Sequence, residues 1–189
     1  AKDKFGIDFN TAEKIISDSK RLRNIKIAGF HIHIGSQITE PRPYKEAIKK
    51  VMDFIKEKKL DIEYLNIGGG LGIVYDKEEP QTADEFAKNI LPLFKGFKFK
   101  IILEPGRFVV GNSGILVTKV LYIKDTPSKR FVIVDAGMND LVRPSFYGSH
   151  HNILSLIEKK DVHQRAVDIV GPICESSDFL AKNRMMPPL

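Results

Sequence analysis

The stretch Leu65-Asn66-Ile67-Gly68-Gly69-Gly70-Leu71-Gly72 ends an apolar run with three consecutive glycines, and a fourth glycine follows two residues later. A dinucleotide-binding G-x-G-x-x-G pattern does not fit, because it would require glycine at Ile73 or at Tyr75. Glycines at a strand end either let backbone amides approach a bound phosphate or form a tight turn. Taken alone, the stretch fits both interpretations equally well.

Strands and helices alternate on both sides of these glycines. Pro43 is predicted to open a helix whose apolar residues share one face, and Thr82 and Glu85 have capping-box spacing ahead of a second amphipathic helix. Three apolar runs are predicted to be strands: residues 25–34, 62–67 and 97–103. This alternation with short connections predicts parallel βα units.

The alternation stops near residue 112. Further strands are predicted at residues 115–124, 130–135 and 166–173, with a short helix at 153–159. The predicted fold class is α/β: the later βα units of a partial (β/α)8 barrel over residues 1–112, then part of a mostly β domain over 113–189. Because a closed barrel needs eight strands, the chain is expected to be an internal piece of a longer protein.

Composition excludes several function classes. No apolar run approaches the length of about 18 residues that a membrane span requires. The first ten residues lack the apolar block of a secretory signal, and the single cysteine, Cys174, fits a reducing, cytoplasmic setting. The net charge of +6 comes from basic residues scattered among acidic ones, so a solvated surface is favoured over nucleic-acid binding. No metal site is predicted.

Polar groups cluster where the three predicted parallel strands end. The carboxyl ends of parallel strands meet at one edge of a sheet, where α/β proteins place their sites. This edge carries His33, Ser36, Gln37, Gly68, Gly69, Gly70, Glu104, Gly106 and Arg107. Amides, a hydroxyl and a guanidinium suit a phosphate, while His33 could stack on an aromatic ring and Glu104 could keep a ring nitrogen protonated. Alternatively Glu104 and Arg107 form only an ion pair, and His31 is expected to be a satisfied core residue.

Six motifs occur in an order that is specific as a set. They are KFGI at residues 4–7, HIHIGSQ at 31–37, GGGLGI at 68–73, EPGR at 104–107, DAGMNDLVRP at 135–144 and GPICESSD at 171–178. In this order they resemble the diaminopimelate decarboxylases, a family of barrel-type pyridoxal-phosphate enzymes related to ornithine decarboxylase and alanine racemase. The resemblance extends from Lys4 to about Met185.

The resemblance implies a role for each matching residue. His33 would stack on the pyridine ring of pyridoxal 5'-phosphate, and Glu104 would pair with its nitrogen. The phosphate and its surroundings would contact Ser36, Gly68, Gly69, Gly70, Gly106 and Arg107. The substrate would contact Arg107, Arg143, Tyr147 and Glu175. For Arg143 and Tyr147, the residues alone fit a solvated loop equally well.

The resemblance also implies that active sites are shared within a homodimer. Cys174 would be the proton donor, and Glu175 would bind the distal ammonium of a substrate held by the neighbouring subunit. A lone cysteine is ordinarily a small buried residue, but the acidic neighbours Glu175 and Asp178 indicate a polar opening. The lysine that attaches the cofactor and an active-site tyrosine would lie outside residues 1–189. Ser149 stands where the family more often has an aromatic residue.

Three functions remain open at this stage. The first is decarboxylation of meso-2,6-diaminopimelate to L-lysine and CO₂, which the Glu175-Ser176 pair favours because the far end of that substrate is itself an amino acid. The second is a sister decarboxylase acting on ornithine, arginine or carboxynorspermidine. The third is a homologue without catalytic activity, against which the intact Glu104, Arg107 and Cys174 argue.

Overall fold

The computed structural model describes residues 4–157 and 162–188. The chain divides into two compact units. The first runs to Ile73 and resumes at Glu79–Ser113, and the second combines Val74–Glu78 with the chain from Gly114 onward.

The first unit is built on a parallel sheet. Among the described residues its strands are β1 (Gly29–His31), β2 (Tyr64–Asn66) and β3 (Lys100–Ile102), in the order β1-β2-β3. Phe30 pairs with Leu65, and Leu65 pairs with Ile101. The predicted parallel βα arrangement is therefore confirmed, although each strand is shorter than the apolar run that predicted it.

Helices precede and follow the strands of this sheet. They are α1 (Phe9–Ser19), α2 (Arg42–Glu57), α3 (Ala83–Ile90) and α4 (Gly106–Val110), with a 3-10 turn at Leu91–Phe94. The predicted helix from Pro43 corresponds to α2, whose apolar face packs with β2 in a core of Tyr44, Ile48, Val51, Met52, Ile55, Leu65, Ile67, Leu71, Phe86, Ile90 and Phe94. Helix α1 was not predicted, although Asp8 caps it by accepting the Thr11 N–H at 2.9 Å.

The second unit contains a mostly antiparallel sheet. Its strands, in the described part of the chain, are β4 (Val120–Asp125), β5 (Arg130–Val134), β6 (Arg165–Val170) and β7 (Phe179–Met186), in that order. β5 and β6 pair in parallel, and the other two pairs are antiparallel. A short helix, α5 (Arg143–Tyr147), lies between β5 and β6 in the sequence.

One prediction for this unit needs correction, and one strand was missed. Residues 153–157 of the predicted helix 153–159 are not helical, and residues 158 and 159 lie outside the described residues. Strand β7 was missed because Lys182, Asn183 and Arg184 interrupt its apolar alternation. Asn183 has a φ of 49°, and its N–H donates to the buried Asp168 at 2.8 Å, which accommodates the irregular register.

No helix in residues 4–157 and 162–188 is long and apolar enough to cross a membrane.

The capping box of α3 provides a test of this fold. The Thr82 hydroxyl accepts the Glu85 N–H at 3.2 Å, and the Glu85 carboxylate accepts the Thr82 N–H at 2.8 Å, as the sequence predicts. Thr82→Ala removes the acceptor of the first bond and should lower the free energy of unfolding by about 1 kcal/mol. Chemical denaturation of the full-length protein measures this difference.

Thr82→Ser is the matched control because serine caps a helix equally well, and it should unfold like the parent. The Thr82 backbone N–H lowers the pKa of Glu85 below its usual 4.5. The stabilisation from this carboxylate is therefore present above that pH and is lost as the pH falls through the lower, folded-state pKa. Equal losses in Thr82→Ala and Thr82→Ser would contradict the capping account.

Candidate cofactor and substrate sites

Side chains alternate across β2, and this alternation creates a polar row on the sheet face opposite the core. Leu65 and Ile67 are buried in the core at 0% and 1% exposure. Because successive strand residues point to opposite faces, Asn66 and Gly68 must lie on the other face. Asn66 pairs in register with His31 of β1, and Glu104 follows β3 by two residues.

Glu104 is held in this row by its neighbours. Its Oε1 accepts a hydrogen bond from Asn66 Nδ2 at 2.7 Å, while Asn66 Oδ1 accepts the Gly68 N–H at 2.8 Å. His31 Nε2 lies 3.5 Å from Glu104 Oε2. The expectation that His31 is a core residue is wrong, since its side chain is 54% exposed. Sequence reasoning also missed Asn66, although its position between two core residues placed it on this face.

The glycines allow the strand ends to approach one another closely. A Cβ on Gly69 would lie 1.9 Å from the Glu104 carbonyl oxygen, and one on Gly70 would lie 2.1 Å from the Gly35 carbonyl oxygen. The buried Tyr44 of α2 donates its hydroxyl hydrogen to the Gly69 carbonyl at 2.9 Å. Burial raises the pKa of Tyr44 to about 12, so the hydroxyl stays protonated as a donor.

The backbone amides of this region differ in what they can offer to a ligand. The Gly68 N–H is engaged by Asn66, and the Gly106 N–H donates to the Glu104 carbonyl at 2.8 Å. Within the described residues, no hydrogen bond is made by the Gly69 or Gly70 N–H. These two glycine amides therefore remain available as donors for a phosphate.

The other residues predicted for this edge lie in the chain after β1 and in the chain after β3. Arg107, in α4, approaches Gln37 Oε1 with Nη1 at 3.4 Å. Gln37 Nε2 in turn donates to the Ile73 carbonyl at 2.5 Å, which ties the chain after β1 to the chain after the glycines. His33 and Ser36 are both exposed. A donor set of two amides, a hydroxyl and a guanidinium beside a separate carboxylate fits a phosphorylated ring with a basic nitrogen.

In the second unit, Asp178 links the segment with the motif at residues 135–144 to its own segment, which carries the motif at 171–178. It is 3% exposed, and its carboxylate accepts the Met138 N–H at 2.6 Å and the Ile173 N–H at 2.8 Å. The expectation that Asp178 contributes to a polar opening is wrong, because its oxygens are used inside the loops. Cys174 and Glu175 are exposed, so the interpretation of Cys174 as a small buried residue does not hold.

Arg143 is stacked between two aromatic rings. Its guanidinium carbon lies 5.8 Å from the ring centre of Tyr75 and 5.1 Å from that of Tyr147. Nη2 donates to the Ser149 hydroxyl at 3.1 Å, whereas the buried Nε has no partner among the described residues. Burial, and then the charge of Arg143, lowers the pKa of His151, whose ring lies 5.6 Å from Tyr75. The result is a cation held in place by its neighbours, which suits an anionic group.

The structure thus gathers the predicted residues into two groups. Glu104, Gly68 and Gly69 adjoin one another in the first unit, as do Gly70 and Gly35. Arg143 and Tyr147 adjoin one another in the second unit, where Glu175 Oε1 accepts the Ser177 N–H at 3.1 Å. No cluster of three or more potential metal ligands occurs in residues 4–157 and 162–188.

Comparison with known families gives a match over the first part of the chain. Residues 1–111 match the pyridoxal-binding domain of the pyridoxal-dependent decarboxylases. The chain belongs to this family. The cofactor of the family is pyridoxal phosphate, in agreement with the carboxylate and donor set at the carboxyl ends of β1, β2 and β3.

Individual relatives agree with the assignment. The chain is 49% identical to the diaminopimelate decarboxylase of Aquifex aeolicus over 97% of its length and 41% identical to that of Haemophilus influenzae. Among solved structures, diaminopimelate decarboxylase from Helicobacter pylori, complexed with L-lysine, superposes over the whole chain with a TM-score of 0.91 at 38% identity. A lysine/ornithine decarboxylase from Vibrio vulnificus gives a TM-score of 0.87 at 27% identity.

The chain spans less than half of the diaminopimelate decarboxylases it matches. It covers 44% of the Aquifex enzyme, 45% of the Haemophilus enzyme and 47% of the Helicobacter structure.

The close approach at Gly69 makes a direct test possible. In Gly69→Ala the new methyl group would overlap the Glu104 carbonyl, so the two strand ends would have to separate. We expect a loss of about 1–3 kcal/mol in the free energy of unfolding, as for other overpacked sites. We also expect weaker cofactor binding, measured by titration of the full-length apoprotein with pyridoxal phosphate.

Gly114→Ala is the matched control, since a Cβ at Gly114 meets nothing within 4 Å. It should unfold and bind cofactor like the parent protein. If Gly69→Ala matched Gly114→Ala in both measurements, the strand ends would not need their close contact.

Proposed function

We propose that the full-length protein to which this chain belongs decarboxylates meso-2,6-diaminopimelate to L-lysine and CO₂, using pyridoxal 5'-phosphate. The observation that carries this proposal is the 49% identity to a diaminopimelate decarboxylase over 97% of the chain. The pairing of Asn66 with Glu104, and the fixed Arg143 between two rings, supply groups that this reaction requires.

The reaction breaks the bond between the α-carbon and its carboxylate, releases CO₂ and adds one proton to that carbon. The cofactor, when bound, supplies an electron sink for the electron pair that remains. Glu104 holds a proton at the pyridine nitrogen, because its carboxylate favours the cationic form of a neighbouring base. His33 supports the ring face, and the Gly69 and Gly70 amides, Ser36 and Arg107 hold the phosphate and its surroundings.

Other residues bind the substrate and return the proton. Arg143 binds a carboxylate of the substrate, and its orientation is fixed by the rings of Tyr75 and Tyr147. Cys174 donates the proton to the α-carbon, which its exposed position permits. Glu175 binds the distal ammonium, and its hydrogen bonds from Ser177 keep the carboxylate in place.

The same proposal places this chemistry in a cytoplasmic homodimer of lysine biosynthesis. Cys174 and Glu175 of one subunit serve the cofactor site of the other, and the lysine that attaches the cofactor lies outside residues 1–189. A decarboxylase for ornithine or lysine is the competing assignment, since such an enzyme superposes on the chain at lower identity.

Substrate preference tests the proposal directly. We expect the purified full-length protein to release CO₂ from meso-diaminopimelate and to act much more slowly on ornithine, arginine and L-lysine. Borohydride reduction of the holoprotein followed by peptide mapping should find the cofactor on a lysine outside this chain. Preference for ornithine would establish the competing assignment, and a labelled lysine within residues 1–189 would contradict the proposed attachment.

Subunit complementation tests the sharing of active sites. Glu104→Gln and Cys174→Ala should each be inactive, but a mixed dimer should contain one intact site and one site with both changes. Random exchange of equal amounts gives about half mixed dimers, so roughly a quarter of the parent activity should return.

The control is a mixture of Glu104→Gln with Arg107→Ala, two residues of the same unit, which should regain no activity. Absence of complementation in verified mixed dimers would mean that Cys174 serves its own subunit.

A further inference from the structure

Glu104 is held by a closed cycle of hydrogen bonds between the ends of β2 and β3. The Glu104 N–H donates to the Gly68 carbonyl at 2.9 Å, and the Gly68 N–H donates to Asn66 Oδ1 at 2.8 Å. Asn66 Nδ2 completes the cycle by donating to Glu104 Oε1 at 2.7 Å. Both the backbone and the carboxylate of Glu104 are therefore fixed by the end of β2 and the chain that follows it.

The chemistry of the cycle favours asparagine at position 66. A backbone N–H is only a donor, and an ionised carboxylate is only an acceptor. The side chain between Gly68 N–H and Glu104 must therefore accept on one side and donate on the other. Asparagine does both over this short reach, whereas aspartate would present an acceptor to another acceptor.

The second oxygen of Glu104 is left for another donor. His31 Nε2 lies 3.5 Å from Oε2, beyond the usual length of an N–H···O hydrogen bond. The carboxylate is also about half exposed, at 49% of its side-chain area. One oxygen is thus occupied by Asn66, and the other can receive the proton-bearing nitrogen of a ring.

We propose that Asn66 is the positioning residue of the cofactor-facing carboxylate: it holds Oε1 of Glu104 so that Oε2 meets the pyridine nitrogen. Asn66 itself contacts neither cofactor nor substrate. This inference rests on the proposed function, because it assigns Asn66 a role only if Glu104 faces the ring.

Asn66→Asp is the informative substitution, because it keeps the shape of the side chain and its bond from the Gly68 N–H. The new carboxylate would repel Glu104 and turn it away or force the pair to share a proton. We expect kcat to fall about ten- to a hundredfold, the range for groups that orient a directly binding residue. KM should change by less than about threefold, since the interaction acts mainly in the transition state.

A second readout does not depend on activity. The full-length holoprotein is prepared with pyridoxal 5'-phosphate labelled with ¹⁵N in the ring, and the ¹⁵N chemical shift reports whether the nitrogen is protonated. The parent should show the protonated shift, and both Asn66→Asp and Glu104→Gln should move toward the unprotonated value. Asn10→Asp, the same change at an exposed position of α1, should resemble the parent.

The double variant Asn66→Asp/Glu104→Gln separates positioning from folding. The carboxylate introduced at position 66 can accept from the amide introduced at position 104 and still accept the Gly68 N–H. The cycle is then closed again: the bond between the two side chains is reversed, because the amide at position 104 now donates to the carboxylate at position 66, and it remains charge-assisted. Asn66→Asp alone should lower the thermal midpoint, because it opens the cycle; in the double variant we expect the midpoint to return to that of the parent, while kcat and the ¹⁵N shift remain those of Glu104→Gln.

The outcomes distinguish failure of the positioning role from failure of the proposed function. If Glu104→Gln leaves the ¹⁵N shift unchanged, Glu104 does not face the ring, and the proposed function of that residue fails. If Glu104→Gln moves the shift but Asn66→Asp leaves both shift and kcat at parent values, the positioning role of Asn66 alone is refuted. A parent-like kcat in the double variant would show that the carboxylate of Glu104 is not needed, and the proposed function of that residue would fail.

Discussion

Burial of Leu65 and Ile67 in the core fixes which residues of β2 face the core, and the site of the first unit depends on this constraint. Both side chains are almost fully buried in the core that includes α2, so β2 cannot shift by one residue without exposing them. This constraint places Asn66 and Gly68 on the opposite face. The parallel register with β3 then brings Glu104 within hydrogen-bonding distance of Asn66. The position of the carboxylate is therefore a consequence of core packing at the residues on either side of Asn66.

The second unit uses a buried carboxylate for the equivalent purpose. Asp178 accepts two backbone N–H groups, one from Met138 and one from Ile173, and so holds the loop that carries Cys174. An unpaired buried carboxylate would be costly, which explains why both oxygens are used. In each unit, exposed groups that resemble catalytic residues are supported by hydrogen-bonded polar side chains.

The strands and helices that carry the site were easier to predict from the sequence than the side chains that hold the site residues in place. The parallel βα units, helix α2 and the capping box follow from short-range patterns and were predicted correctly. Asn66 and Asp178 were missed or misjudged because their partners, Glu104 and Met138, are 38 and 40 residues away in the chain. Strand β7 was missed for a related reason: its charged centre is tolerated through the contact between Asn183 and Asp168, which no local pattern reveals.

The central claim is that core packing and Asn66 present the Glu104 carboxylate to the nitrogen of the cofactor ring. A crystal structure of the full-length protein with pyridoxal 5'-phosphate tests it most directly. One Glu104 oxygen should lie about 2.7–3.0 Å from the pyridine nitrogen, while Asn66 remains bonded to the other oxygen. A ring whose nitrogen faces solvent or another side chain, with Glu104 turned away from it, would contradict the account.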